Sequence, residues 1–362
     1  MIMTQQIEGI YDTYYDDPRV ISMSAASESS VDLDGAQRIV KAAYHGQRKA
    51  RKLEDLGADS KSCPQYLITL DDKSQLLLRL APPSDMRVLQ HERDALSGDM
   101  EVLELVRENA PSVPIPQIIL DSRSTAASRD DANSTLPDNT PFVLTTHVPG
   151  MPLDAVKQDL PDEVLAVLDY QLGQHARQIS RIHHSHFGFA SGGRNGAAPA
   201  KAYTTWRAAF LSMFEAVMRD AEDLFVSVPY EVLRWQVGRL AHTLDEVKVP
   251  QLVCCGLGDA RRGVMVDPAT GRLTGLVDFE RAVWGDPLMM ASFREPTLEF
   301  LNGYGGNPLG PSGASARVLL YTLYYYLGAV VEVYYHSLNH ELERTARKGL
   351  VRCLKSISEY KS

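Results

Sequence analysis

The chain has 362 residues, of which 44% are apolar and 23% charged, so it can bury a sizeable core. Its net charge of −9 argues against a general nucleic-acid-binding protein, because neutralising phosphates requires a basic face. The four cysteines form no spaced pairs, which excludes a disulfide framework and a cysteine zinc site. The first residues are acidic and lack an apolar signal core. We therefore expect a cytoplasmic globular protein.

One stretch, 318–335, is long and apolar enough to raise the question of a membrane span. It contains Gly328, Glu332 and several tyrosines. A carboxylate in the middle of a span is costly in lipid. We therefore expect a buried helix of a soluble protein that has no membrane partner.

The first part of the chain predicts a small strand-rich unit. Residues 1–33 end in a Ser-rich run and are expected to form a loosely attached arm. Asp34 then opens a short helical pattern. The polar turn DDKS separates the apolar runs QYLITL and QLLLRL, a pattern typical of a β-hairpin.

After the hairpin, the pattern predicts a helix from about residue 84 to residue 108. The segments VPIPQIIL and PFVLTTHV predict two more strands. Between them, residues 121–140 are polar and lack periodicity, which predicts a surface insertion. We expect residues 34–149 to form one lobe.

Residues 150–362 are dominated by helical patterns and are expected to form a second, larger lobe. Helices are predicted over 163–184, 204–219, 230–246, 317–335 and 341–360. The segment 252–280 interrupts them, and its runs GVMV and LTGLVDF flank the turn DPATGR as a hairpin would. The expected fold class is therefore α+β, with a small β-rich lobe followed by a helical lobe.

Several segments, in order, resemble the aminoglycoside phosphotransferase and choline kinase family, which is related to the protein kinases. LLLRL with Arg79 resembles strand three of that fold, and PFVLTTHVPGMPL resembles its hinge. LGQHARQISRIHHSHFGF is similar to the helix before the catalytic loop, and VDPATGRLTGLVDFERAVWGDPLM to the metal-binding hairpin. The resemblance covers residues 34–340 and implies a protein-kinase-like two-lobed fold.

The resemblance also implies roles for individual residues. The nucleotide-binding residues that it implies are Arg79, Glu101, Thr146, His147 and Val148. The first two would be a strand cation and its acidic partner, and the last three would hold an adenine through their backbone. If the family activity is retained, the cofactors are ATP and Mg²⁺, with the metal on Asp278.

The catalytic loop departs from the family's HGDxxxxN pattern. Aligned back from the apolar run that follows the loop, the His, Asp and Asn positions fall on Gly256, Gly258 and Gly263. Glycine has no group that orients a hydroxyl or binds a metal. A one-residue bulge would bring Asp259 towards the vacated Asp position. Arg261 in the same loop suits an anionic ligand.

Three functions are consistent with this pattern. The favoured hypothesis is an enzyme that keeps the cleft but catalyses a non-phosphoryl-transfer reaction on a small anionic molecule, such as cyclisation, isomerisation or elimination. Asp278 and Asp259 would then be acid or base, and Arg261 would stabilise an anion. The first alternative is an ATP-dependent small-molecule phosphotransferase with Mg²⁺ on Asp278 and Asp259 as base. The second alternative is a non-catalytic pseudokinase that serves as a binding module.

Overall fold

The computed structural model describes residues 31–57, 63–82, 89, 95–122, 140–190, 202–256, 263–277, 279, 281–311, 313–336 and 340–361. The elements up to the hinge are α1 (Leu33–Ala43), β1 (Ala50–Asp55), β2 (Gln65–Leu70), β3 (Gln75–Leu80), α2 (Ala95–Asn109), β4 (Ile118–Asp121) and β5 (Phe142–Thr146). Most of the predicted arm (1–30) and of the predicted insertion (123–139) lies outside the described residues.

The elements after the hinge form the second lobe. They are β6 (Met151–Pro152), α3 (Leu153–Val156), α4 (Asp162–Ile179), β7 (Gly188–Phe189), α5 (Trp206–Asp223), α6 (Tyr230–Leu240), β8 (Gln251–Cys254), β9 (Val264–Asp267), β10 (Arg272–Leu276), β11 (Ala282–Gly285), α7 (Leu298–Tyr304), α8 (Ala314–His336) and α9 (His340–Glu359). Short 3₁₀ turns lie at Lys157–Asp159, Ala241–Glu246, Pro287–Met289 and Ala291–Phe293.

The first lobe is an antiparallel sheet in the order β1-β2-β3-β5-β4. The hairpin predicted around DDKS is confirmed as β2 and β3. Their alternate residues Ile68, Leu76 and Leu78 are buried against α1, as the two-residue period of a strand requires. Strand β1, with the sequence ARKLED, was not predicted, because an exposed edge strand carries charges in place of an apolar run.

Helix α1 begins earlier than the sequence pattern predicts. Its N-cap is Asp32, whose Oδ1 accepts a hydrogen bond of 2.7 Å from the backbone N–H of Gly35. Asp34 lies in the first turn, where a negative charge interacts favourably with the helix dipole. The helix therefore begins at Leu33, one residue before the predicted start at Asp34, and Asp32 caps it.

The second lobe is helical and surrounds two small sheets, β10-β9-β6 and β7-β11-β8. The predicted hairpin is confirmed as β9 and β10. Helix α7 was not predicted, and it packs closely on α4 through glycines. A Cβ on Gly173 or on Gly303 would overlap backbone atoms of the facing helix. This close approach fixes α4, the helix that precedes the catalytic loop in the chain.

Helix α8 has the length and composition of a membrane span over Ala314–Tyr335. Half of its most apolar window is buried within the protein, where α8 packs against α5, α6 and α9. The helix is thus a core element of the second lobe.

A buried polar network fixes α8 to the turn after β11. Oδ1 of Asp286 accepts a hydrogen bond from the backbone N–H of Leu288 and caps the 3₁₀ turn, as the Asp-Pro sequence predicts. Its Oδ2 accepts hydrogen bonds of 2.8 Å from Arg317 Nε and from the Tyr321 hydroxyl. That hydroxyl in turn accepts a hydrogen bond of 2.7 Å from Trp206 Nε1. The network therefore joins α5, α8 and the β11 turn.

Candidate functional site

The hinge between the lobes is held against the hairpin β9–β10. Gly150 has a φ of 113°, and a Cβ on it would overlap the carbonyl oxygen of Val266. The Thr274 hydroxyl donates a hydrogen bond of 2.6 Å to the carbonyl of Pro149. Only glycine allows this close approach at a positive φ. The hairpin that precedes Asp278 is therefore fixed directly beneath the hinge.

A buried carboxylate connects the two lobes beside this hinge. Arg79 Nη1 on β3 donates a hydrogen bond to Asp99 Oδ2 on α2, and the two side chains are 8% and 2% exposed. The other oxygen, Oδ1, accepts a hydrogen bond of 3.1 Å from the backbone N–H of Phe279. Asp99 therefore joins the strand cation to the residue that follows Asp278 in the chain.

The expected partner of Arg79 was Glu101, and this pairing is wrong. Glu101 lies two residues further along α2, and residues two apart on a helix do not share a face. Asp99 shares the buried face of α2 with Leu96, three residues before it, and Leu103, four residues after it. The sequence already indicated that Asp99 is the partner, because a carboxylate inside an apolar stripe needs a buried cationic partner.

The predicted hinge begins at Thr146, the last residue of β5, and continues with His147 and Val148. Two of their backbone donors are used within the sheet, since the Thr146 N–H binds Gln117 O and the His147 N–H binds Gln75 O. Burial lowers the pKa of His147, which favours its neutral imidazole. Among the three residues 146–148, which the structure describes, the N–H of Val148 has no hydrogen-bond partner.

The catalytic loop is described at its two ends. Asp259, Arg261 and Asp278 lie outside the described residues, so their roles stay predictions. The Val277 N–H donates to Gly263 O at 3.0 Å. A Cβ on Gly263 would lie 3.2 Å from Gly256 O and 3.3 Å from Val277 O. Position 263, which the sequence alignment puts at the family's Asn, is therefore closed in by backbone and has no side chain to bind a metal.

A pocket that is partly open to solvent adjoins the start of this loop. Cys255 and Gly256 line it immediately before the segment 257–262, and Arg281 lines it just after Asp278. Its other walls come from β11, the 3₁₀ turns after it and the helices α5 and α8. Sequence patterns do not reveal this pocket, because its residues lie far apart in the chain.

A comparison with family models places these features among known proteins. The family described as the phosphotransferase enzyme family matches residues 58–289, which include β2, the hinge, the loop and the hairpin. Comparison with the curated proteins gave no match.

Solved structures share the fold at low sequence identity. A candidate fructosamine-3-kinase from Thermobifida fusca YX-ER1 is 18% identical, with a TM-score of 0.59, over 90% of this chain and 99% of that one. A candidate aminoglycoside phosphotransferase from Ralstonia eutropha JMP134 is 12% identical, with a TM-score of 0.58, over 91% and 99%. A complex of APH(2'')-IIa with streptomycin and ATP is 13% identical, with a TM-score of 0.54, over 89% and 97%.

These likenesses confirm the expected protein-kinase-like fold with its β-rich and helical lobes. The family match covers more than half of the chain and spans both lobes and the hinge between them. The protein therefore belongs to the phosphotransferase enzyme family of kinase-fold, small-molecule phosphotransferases.

Proposed function

We propose that this protein transfers the γ-phosphoryl group of ATP to a small molecule, with the nucleotide bound between its lobes. The hydrogen bonds of Asp99 to Arg79 and to Phe279 carry this proposal. Because Phe279 follows Asp278 directly, one buried carboxylate ties the strand cation to the segment of the predicted metal ligand. Phosphoryl transfer depends on such fixed positions, since its catalysis consists of positioning and charge neutralisation.

The described residues fit a nucleotide in this cleft. The Val148 N–H is a hinge donor available to an adenine ring. Arg79 carries a guanidinium, whose planar fork of donors suits phosphate oxygens. Both contacts come from β3 and the end of β5, which are neighbours in one sheet. The adenine and the phosphates would thus be held by one rigid element.

The donor set also fits a magnesium ion, although it is smaller than that of the family. Mg²⁺ is commonly held by one or two carboxylates together with substrate phosphates. Here Asp278 would be the protein ligand, since Gly263 has no side chain. When bound, the ion would neutralise charge on the phosphates.

Asp259 is the residue that we propose takes the proton from the substrate hydroxyl. The pair Gly258-Asp259 repeats the Gly-Asp of the family's loop, one residue nearer to β9 than the family's spacing puts it. A one-residue bulge in the loop would bring Asp259 to the family's Asp position while Gly263 keeps the Asn position. Asp259 would then orient and deprotonate the hydroxyl as the family's Asp does.

The missing side chain at position 263 supports a second candidate function, the non-phosphoryl-transfer reaction expected from the sequence. The missing metal ligand at Gly263 removes part of the machinery that holds phosphates. In that case Asp278 and Asp259 would act on a bound small molecule as acid and base, without turnover of ATP.

Calorimetric titration with ATP, with and without MgCl₂, separates the two candidates. Phosphotransfer predicts saturable ATP binding that magnesium strengthens. Asp278→Asn should remove the effect of magnesium, whereas Asp245→Asn, an exposed carboxylate paired with Arg207, should leave it unchanged. No ATP binding, or binding that ignores magnesium, would reject the proposal and favour the second candidate.

A further inference from the structure

The pocket between α5 and α8 has walls that suit a flat apolar molecule. Helix α8 contributes Tyr321, Tyr324 and Tyr325, and β7 contributes Phe189. Aliphatic and thioether side chains from α5, β11 and the 3₁₀ turn after β11 complete the walls. Aromatic walls bind planar rings by stacking and by edge contacts, which favours an aromatic ligand.

Gly328 leaves a space in this wall. It lines the pocket and is buried within α8, yet a Cβ built on it would meet no neighbouring atom within 4 Å. Gly349 in the facing helix α9 behaves differently, because a Cβ there would overlap the ring of Tyr326. Close packing therefore requires the glycine at position 349, whereas the missing side chain at position 328 keeps the pocket open.

The two arginines that line the pocket are engaged with other side chains. Arg281 Nη1 donates a hydrogen bond of 2.8 Å to Glu332 Oε1. The guanidinium carbon of Arg294 lies 3.6 Å from the ring centroid of Tyr325, which is a cation–π contact. A ligand would therefore meet one arginine that is already paired with a carboxylate and another that is stacked on a ring, and these contacts do not select an anion.

The tyrosine hydroxyls of the wall are neutral. The Tyr321 hydroxyl donates to Asp286 and accepts from Trp206 Nε1, so it belongs to the buried network that fixes α8. Burial is the main cause that raises the pKa of Tyr324, which keeps its proton at physiological pH. The wall thus presents aromatic faces and neutral hydroxyls.

Cys255 shows how strongly this wall excludes water. Its thiol lies near the guanidiniums of Arg281 and Arg294, whose charges act to lower its pKa. Burial outweighs both charges and raises the pKa of the thiol to about 12. A charged group on a ligand would lose its hydration here in the same way, and such a loss is costly without a dedicated partner.

We propose that this pocket binds an uncharged, planar aromatic molecule. The aromatic and aliphatic walls supply the attraction, and the space in front of Gly328 receives part of the ring system. A cation would lose hydration without meeting a carboxylate of the wall, since none of the lining residues that the structure describes is Asp or Glu. An anion would meet arginines that already have contacts within the protein. The inference concerns binding alone and does not depend on transfer of phosphate.

The test uses three ligands of nearly one shape and different charge, titrated by calorimetry near pH 7 without nucleotide. They are naphthalenemethanol, which is neutral, naphthoate, which is an anion, and naphthylmethylammonium, which is a cation. We expect the alcohol to bind about tenfold more tightly than either ion, because a buried charge loses its hydration. Equal or tighter binding of either ion, or no binding of any of the three, would overturn the proposal.

Two substitutions at Gly328 assign the binding to this pocket. Gly328→Ala should weaken the binding of naphthalenemethanol about threefold, because its methyl group takes the place of one buried carbon of the ligand. Gly328→Leu should weaken it about tenfold or more, because the larger side chain fills the pocket. Gly238→Ala and Gly238→Leu are the matched controls, at an exposed helical glycine that also has open space, and should bind like wild type.

Thermal unfolding separates a loss of binding from a loss of fold. Alanine stabilises a helix relative to glycine, so both alanine variants should melt no lower than wild type. If Gly328→Leu does not fold, Gly328→Ala decides the outcome. Wild-type affinity in the folded Gly328 variants, or an equal loss of affinity in the Gly238 variants, would overturn the proposal.

These titrations contain no nucleotide, so their result is separate from that of the ATP titrations. Binding of naphthalenemethanol without binding of ATP would refute the proposed function and leave the ligand class of the pocket standing. Binding of ATP without a preference for the neutral ligand would refute only this inference.

Discussion

Arg79 and Asp99 form a buried ion pair between β3 and α2, and the same carboxylate reaches the backbone of Phe279 in the other lobe. Removing one partner of a buried pair leaves an uncompensated charge, which costs far more than the pair itself contributes. This relationship makes Asp99 a positioning residue for the cleft.

Replacing Asp99 should destabilise the protein strongly. We expect Asp99→Asn to lower the free energy of unfolding by about 3–5 kcal/mol, because Arg79 would keep its charge and lose the buried carboxylate of Asp99. Glu101→Gln is the matched control, and its effect should stay within about 0.5 kcal/mol. Urea unfolding monitored by circular dichroism measures both. Equal effects of the two substitutions would argue against the Asp99 pairing.

Gly150→Ala should loosen the hinge. A methyl group at φ 113° is strained and would overlap Val266 O, so we expect a loss of more than about 1 kcal/mol. Gly310→Ala, at an exposed glycine with space around it, is the control and should be nearly neutral. Thermal melts compare the two variants. An unchanged Tm in Gly150→Ala would show that the hinge backbone differs from the one described.

Tyr321→Phe should break the network that ties α8 to Asp286. The change removes the hydroxyl that binds Asp286 and leaves Trp206 Nε1 without its acceptor, at a cost of about 1–3 kcal/mol. Tyr170→Phe, on an exposed tyrosine, should have little effect. Chemical unfolding of both proteins provides the comparison, and equal midpoints would contradict the network.

Alkaline pH should destabilise the protein in part through Cys353. Burial raises the pKa of this thiol from 9.0 to about 12, and its Sγ donates to Leu319 O. Above about pH 9 the unfolded thiol loses its proton while the folded one keeps it. The free energy of unfolding therefore falls between about pH 9 and about pH 12, by about 1.4 kcal/mol per pH unit for this group.

Cys353→Val isolates this contribution. The stability conferred by the neutral thiol is fully present below the unfolded pKa, so the variant should resemble wild type in pH dependence near pH 7. Above pH 9 its stability should fall less steeply than that of wild type. Parallel slopes for the two proteins across the alkaline range would rule out the titration of Cys353.

The sequence predicted those parts of the fold in which periodicity and turn chemistry coincide. The hairpins β2–β3 and β9–β10 have apolar runs around polar turns, and both are present. Strand β1 and helix α7 were missed because their stability comes from tertiary pairing. β1 is a charged edge, and α7 is short and depends on the glycines of its contact with α4.

The candidate site was only partly predictable from the sequence. Arg79 and the hinge residues were identified by their resemblance to a known fold, but the partner of Arg79 depended on which helical face is buried. The pocket between α5 and α8 was not predictable, because residues such as Phe189 and Tyr324 meet only in the folded chain. Periodicity assigns such tyrosines to packing, and only the tertiary structure reveals the space in front of them.

Transfer of labelled phosphate is the most direct test of the proposed function. The protein would be incubated with Mg²⁺, ATP labelled at its γ-phosphate and a deproteinised metabolite extract, and labelled small molecules would be separated from ATP. We predict a labelled product with wild type and about 10²–10⁴-fold less with Asp259→Asn. No labelled product, or the same yield from both proteins, would contradict phosphoryl transfer by this site.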